Sequence, residues 1–337
     1  MPVTPPFRGR RYAARWSRSG LLWTAVAVAL IEFVFSFMLP GNLFRHEVDV
    51  VLHKVATRQF ESPILSLGDS VGHQLDRGIE QLEPGFLSPL SSNGTIEMAG
   101  QYLLLLRYLE RNPPPQKLVL WVDDPFHGDL DLIYTENFVE RCFLRWHEIG
   151  MLGWWKCSPA FTANMLAYKL LPSYRYRMEL QQRIPFLEVR RVQMDFLSAA
   201  RDRDALHERE SFPTRAWRRL VHGEHTISAL ALERLLAHCE SLGIQVYVVP
   251  TPIREYEAAL RVASGETIEM NARLAALSRR FTVLRFRTNA WVYPDEMFPD
   301  GSHFAPQYVP ARAREYLDLL RQWFAEEDAH RRPARRA

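Results

Sequence analysis

Ser70 stands in the run Ile64-Leu65-Ser66-Leu67-Gly68-Asp69-Ser70-Val71-Gly72-His73, where a short apolar stretch stops at Gly68 and gives way to a helical pattern. A serine hydroxyl is a weak nucleophile until a base takes its proton. The chemistry open to it is acyl transfer through a covalent intermediate, given a histidine and a carboxylate within reach. The best partners lie near the other end, in Phe298-Pro299-Asp300-Gly301-Ser302-His303-Phe304. Asp300 and His303 are three positions apart across a glycine. That spacing lets the carboxylate fold back onto the ring nitrogen facing away from the serine, fix the tautomer and stabilise the imidazolium. His73 and His127 are the competing bases. His73 lies one helical turn past Ser70 and points off the line of attack, whereas His127 follows a predicted strand at the edge where it suits substrate binding.

An exposed Ser70 needs a buried strand that turns sharply into a helix. Such a turn sits at the C-terminal edge of an open α/β sheet, beside a helix N-terminus whose free N–H groups can receive an oxyanion. Ile64–Leu67 supplies the strand, and further apolar runs at Phe86–Leu90, Lys117–Val122, Ile244–Val249 and Phe281–Phe286 supply others. Helical periodicity covers Ile96–Leu109, Ser228–Leu242, Ile268–Arg279 and Pro306–Glu327. Alternation of the two predicts an α/β domain with a mostly parallel sheet covered on both faces.

Gly68-Asp69-Ser70 early and Asp300-x-x-His303 late, in that order and just before a final amphipathic helix, resemble the SGNH (GDSL) hydrolase superfamily over about residues 60 to 327. The resemblance implies a three-layer, flavodoxin-like fold and a Ser70–His303–Asp300 triad. It also implies that the N–H groups of Ser70 and Gly94 hold the oxyanion, with Asp69, Asp124 and His127 as further contacts to oxyanion or substrate. Gly94 reads equally as an ordinary Asn93-Gly94 turn. Where the family pattern has an asparagine as third oxyanion donor, this chain has Asp124. An ionised Asp cannot donate and repels an oxyanion, so either it is protonated, another donor serves, or it contacts substrate.

The N-terminus bears on the compartment. Leu21–Leu39 is nineteen residues with a single charge, Glu32, about enough at ~1.5 Å per residue to cross a hydrocarbon core of roughly 30 Å. Arg8, Arg10, Arg11, Arg15 and Arg18 precede it without an acid among them, which predicts a cytoplasmic N-terminus and an exported domain. Met38-Leu39-Pro40-Gly41 is no small-x-small cleavage site, which favours an uncleaved anchor. A mid-span glutamate either faces a second membrane protein or is protonated without function. Formal charge is +3, but Arg331, Arg332, Arg335 and Arg336 add a second basic end, so the body between is acidic and nucleic acid is not the expected partner.

The expected layout is a basic segment (1–20), a transmembrane anchor (21–39), a connector (40–60) and an SGNH-like domain in two parts (61–129 and 226–327). A helical insertion rich in aromatics and arginine (130–225) separates the two parts, and a basic tail (328–337) follows. Trp146, Trp154, Trp155, Tyr168 and their neighbours in the insertion suit a sugar platform, a surface against the bilayer, or simply a small helical core. Cys142 and Cys157 suit a disulfide in an oxidising compartment, with Cys239 a buried thiol, or all three are unpaired. No metal or cofactor is implied. By resemblance to the bacterial proteins that work with membrane-bound O-acyltransferases, the expected function is O-acyl transfer, acetyl above all, to an exported glycan from the extracytoplasmic face of the cell membrane. An esterase with the same triad, or a non-catalytic scaffold subunit of such a complex, are the alternatives.

Overall fold

The computed structural model describes residues 20, 22–34, 47–92, 98–126, 144–156, 159–171, 227–288 and 290–331. The chain divides into two units, residues 1–45 with 166–190, and residues 46–165 with 191–337. In the first, residues 22–34 are helical and their apolar side chains lie open: Leu22, Trp23, Leu30, Ile31, Phe33 and Val34 are all exposed. Among the described residues no helix is long and apolar enough to cross a membrane. The expected span also takes in Leu21 and residues 35–39, which lie outside the described residues.

The second unit is built on a five-stranded parallel sheet. Its strands are β1 (Ile64–Gly68), β2 (Ser88–Pro89), β3 (Lys117–Val122), β4 (Gln245–Pro250) and β6 (Leu284–Phe286). They pair in the order β2-β1-β3-β4-β6, which is compatible with a flavodoxin-like fold. The register runs Ile64 beside Lys117 through Gly68 beside Trp121, and Lys117 beside Gln245 through Val122 beside Pro250. A small second sheet pairs β5 (Ile253–Arg254) with β7 (Val292–Tyr293) in parallel.

Period-two alternation splits the strand side chains between two cores. Leu65, Leu67, Leu118, Leu120, Val122, Val246 and Val248 face one side and are buried with α1 (Glu47–Thr57), α3 (Met98–Leu109), α6 (Ile227–Leu242) and α8 (Glu266–Arg280). Val119, Trp121, Tyr247 and Val249 face the other, under α2 (Ser70–Leu82) and the C-terminal helix α9 (Val309–Arg331). Both faces are covered, which is why these strands read as continuous apolar runs. Each fully buried leucine contributes roughly 1.5–3 kcal/mol to holding the layers together.

The connector expected over 40–60 contains α1, and the helix expected from Ile96 begins at Met98 among the described residues. Of the insertion, α4 (Trp146–Lys156) and α5 (Pro159–Leu170) are described and both are helical. Arg107 on α3 grips Glu148 on α4 at 2.5 and 2.6 Å, and both residues are buried. Cys142 and Cys157 lie outside the described residues. Cys239 is a buried free thiol on α6, and burial pushes its pKa up to about 12, so it stays protonated and unreactive. Between β5 and β6 runs α7 (Glu255–Ser264), which ends at Gly265 with φ +76°, a conformation open to glycine at little cost.

Candidate active site

The turn from β1 into α2 closes on Trp121 of β3. A Cβ placed on Gly68 or on Gly72 would lie 2.7 Å from Trp121 Cβ, so only glycine fits at either end of the turn. Trp121 Nε1 donates to buried Asp76 Oδ1 at 2.7 Å, and Ser66 Oγ donates to Asp76 Oδ2 at 2.7 Å. Strand, turn and helix are thereby fastened to one another beneath the serine.

Asp69 caps the helix: its Oδ1 accepts the N–H groups of Val71 at 2.9 Å and Gly72 at 3.1 Å. Ser70 is the first helical residue, and neither its hydroxyl nor its N–H is hydrogen-bonded among the described residues. An N–H at this position of a helix has no partner within the helix.

On the facing side, Asp300 organises the histidine loop. Its Oδ1 accepts the N–H of His303 at 2.7 Å and of Ser302 at 3.0 Å, and its Oδ2 lies 2.7 Å from His303 Nδ1. Partial burial alone would raise the Asp300 pKa, but the two backbone N–H groups and the imidazole hold it below the ordinary carboxylate value. Gly301 between them has φ +81°, and the Arg254 guanidinium lies 3.5 Å from where its Cβ would be. Nδ1 therefore carries the proton and Nε2 is left as the basic nitrogen. No hydrogen bond joins Ser70 Oγ to His303 Nε2. Resting catalytic contacts are commonly longer than in the reacting complex. The loop is nevertheless tied to the serine helix, because Gln74 of α2 hydrogen-bonds both backbone groups of Phe304, donating to its O at 3.2 Å and accepting from its N–H at 3.1 Å.

Electrostatics at the turn come from two aspartates. Burial pushes the Asp69 pKa up to about 6; the nearby Asp123 charge adds to this, while the Gly72 and Val71 N–H groups and His303 oppose it. Asp123 is held by buried Arg261 of α7, which also binds Glu257 at 2.6 Å. An oxyanion is disfavoured next to these two carboxylates. An oxyanion at the Ser70 N–H would meet less repulsion toward the segment following β2, which lies on the other side of β1 from β3 and Asp123. That segment is aligned by Ser92 N–H donating to Gly68 O at 3.1 Å.

The remaining candidates fall out as follows. Asp124 accepts the Phe126 N–H on its Oδ1 at 2.8 Å and lines a depression with Phe126, Met270 and Arg273. The carboxylate that acts on Asp69 is its neighbour Asp123. His73 has Nδ1 3.0 Å from Ser91 O and lines a cleft of about 350 Å³ between α1 and α2. Gly94 and His127 lie outside the described residues. Asp123, Arg261 and Gln74 were not among the sequence candidates. Asp123 had the same strand-end signal as Asp124, but an arginine among the charges of a short helix gives no hint in sequence that Arg261 is turned inward. Among the described residues no His, Cys, Asp or Glu group is arranged to hold a metal.

Chemically, the arrangement offers an unengaged hydroxyl at a helix N-terminus, a base with its tautomer fixed, and a free N–H beside the hydroxyl. Compared with models of known protein families, with curated proteins and with solved structures, the chain matches none.

Proposed function

We propose that the protein is a serine acyltransferase of SGNH type, anchored in the cell membrane with its α/β domain on the extracytoplasmic side. The observation that carries the reading is the Asp300–His303 pair, fixed by three hydrogen bonds on a loop fastened to the helix that begins with Ser70. Ser70 Oγ attacks the carbonyl of an incoming acyl donor while His303 Nε2 takes its proton. The Ser70 N–H holds the oxyanion, with Gly94 as the expected second donor. Collapse of the tetrahedral intermediate expels the donor's leaving group, which receives the proton from His303. A glycan hydroxyl, deprotonated by the same nitrogen, then attacks the acyl-Ser70 ester, forming the O-acyl sugar and restoring the serine. Water in the acceptor's place gives an esterase.

The exposed apolar helix at 22–34, preceded by five arginines, supports the anchor, since an uncovered apolar face of this size belongs against lipid or protein. A many-span membrane O-acyltransferase is the partner we propose as acyl donor. The test is to treat full-length protein in detergent with a fluorophosphonate and with p-nitrophenyl acetate. Label on Ser70 that disappears in Ser70→Ala supports the reading, and an unlabelled wild type refutes it.

A further inference from the structure

We infer that Gln74 is a positioning residue for the base: through the Phe304 backbone it sets the height and direction of the His303 imidazole above Ser70. The inference rests on the serine-nucleophile reading of this site. Gln74 is one helical turn beyond Ser70, so both side chains leave α2 on the same side. Its carboxamide meets a single residue twice, as donor to Phe304 O and acceptor from Phe304 N–H. Among the described residues these are the only hydrogen bonds between α2 and residues 298–305.

The consequence for His303 is geometric. The peptide before it is held by the His303 N–H on Asp300 Oδ1, and the peptide after it by the Phe304 N–H on Gln74 Oε1. With both flanking peptide planes fixed, the Cα–Cβ direction of His303 is fixed as well. One anchor comes from the loop itself and the other from the serine's own helix, so base and nucleophile share a frame.

The loop does not need Gln74 in order to fold. Ala305 N–H closes it onto Met297 O at 2.9 Å, Phe298 stacks on Phe304 with centroids 4.7 Å apart, and Tyr293 meets Phe304 edge-on at 5.3 Å. Losing the amide therefore leaves a folded loop whose placement over Ser70 is loose. A displacement of about 1 Å at a reacting group costs on the order of 10²-fold in rate. Glutamine fits the task because it is a neutral donor and acceptor at once. Leucine is neither, and an ionised glutamate can only accept.

The experiment uses full-length protein in detergent, with Gln74→Leu and Gln74→Glu compared with wild type for the fluorophosphonate reaction at Ser70, for kcat and KM on p-nitrophenyl acetate, and for Tm. Gln74→Leu is expected to slow labelling and lower kcat by about 10- to 100-fold, with KM within about twofold and Tm little changed. Gln74→Glu is expected to track wild type at acid pH, where the neutral carboxyl both donates and accepts. Its activity relative to wild type then falls as pH rises and the carboxyl ionises. Labelling of Gln74→Leu at the wild-type rate overturns the positioning role and leaves the serine-nucleophile reading intact. So does a low Gln74→Glu ratio that is flat with pH and accompanied by a lowered Tm, which marks a merely structural residue. A wild type that never labels removes both.

Discussion

Replacing Asp300 by asparagine tests the site at the point where its geometry is tightest. Asp300 Oδ1 accepts two backbone N–H groups and Oδ2 faces His303 Nδ1 at 2.7 Å. In Asp300→Asn one of the two positions must become NH2. If the amide oxygen keeps the two N–H groups, the NH2 faces Nδ1, which must then be unprotonated, and Nε2 carries the hydrogen. That tautomer cannot take the Ser70 proton. Turning the amide over restores the working tautomer but points NH2 at the Ser302 and His303 N–H groups. Two hydrogen bonds are lost, at roughly 1–1.5 kcal/mol each. The working form is then disfavoured by about 2–3 kcal/mol, or roughly 30- to 150-fold at 1.4 kcal/mol per decade. Loss of the carboxylate charge opposite the imidazolium adds about another tenfold or more. The expected outcome is kcat on p-nitrophenyl acetate lowered by about 10²- to 10⁴-fold, with Tm close to wild type because the loop's backbone bonds survive. Activity within about tenfold of wild type in a folded Asp300→Asn protein would refute the reasoning.

Other outcomes follow from the same structure. Asp76→Ala strands the buried Ser66 hydroxyl and Trp121 indole N–H, at about 1–3 kcal/mol apiece; a fall in urea-unfolding stability of less than about 1 kcal/mol would show that these bonds are not what fastens the turn. Gly72→Ala gains about 1 kcal/mol of helix propensity but drives a methyl into Trp121, costing about 1–3 kcal/mol, so net destabilisation with a changed near-UV tryptophan signal is expected, and a stabilised variant contradicts it. Asp69 has a folded pKa of about 6 against ~3.9 in the unfolded chain, so the fold favours its protonated form; that preference stabilises fully below pH ~3.9 and is lost as pH rises through about 6. Asp69→Asn keeps a capping oxygen, and its stability relative to wild type is therefore expected to rise by about 1–2 kcal/mol between pH 4 and 7, discounted for the residue's partial exposure; a flat difference rules this out.

Local patterns carried much of the fold. β3 occupies Lys117–Val122 as its apolar run predicts, β1 begins at Ile64, and α6 begins one residue before the predicted Ser228 and ends at Leu242 before Gly243. These elements are fully buried or strongly periodic, so one short window holds the signal. The β5–β7 sheet was not legible: two-residue strands joined across intervening helices leave no periodicity, and their pairing depends on tertiary contact. α7 was missed because it is short and Arg261, its buried residue, is charged. At the site, the Asp300–His303 contact was readable because it is local. The choice between Asp123 and Asp124 depends on how the chain leaves the strand, and Gln74's two bonds to a residue 230 positions away leave no trace in its neighbourhood.

The helix that roofs one side of the sheet comes after every strand in chain order. Leu75, Ile79, Val119, Trp121, Tyr247 and Val249 find their cover in Ala313, Tyr316, Leu317, Leu320 and Phe324 of α9. Ala313 sits so close under α2 that a Cβ on Gly78 would lie 2.5 Å from its own. A polypeptide made from its N-terminus therefore carries a bare sheet face, with Trp121 and Tyr247 uncovered, until residues 309–331 have emerged. Over that interval the face is open to aggregation, and a truncation that removes α9 is expected to leave it so.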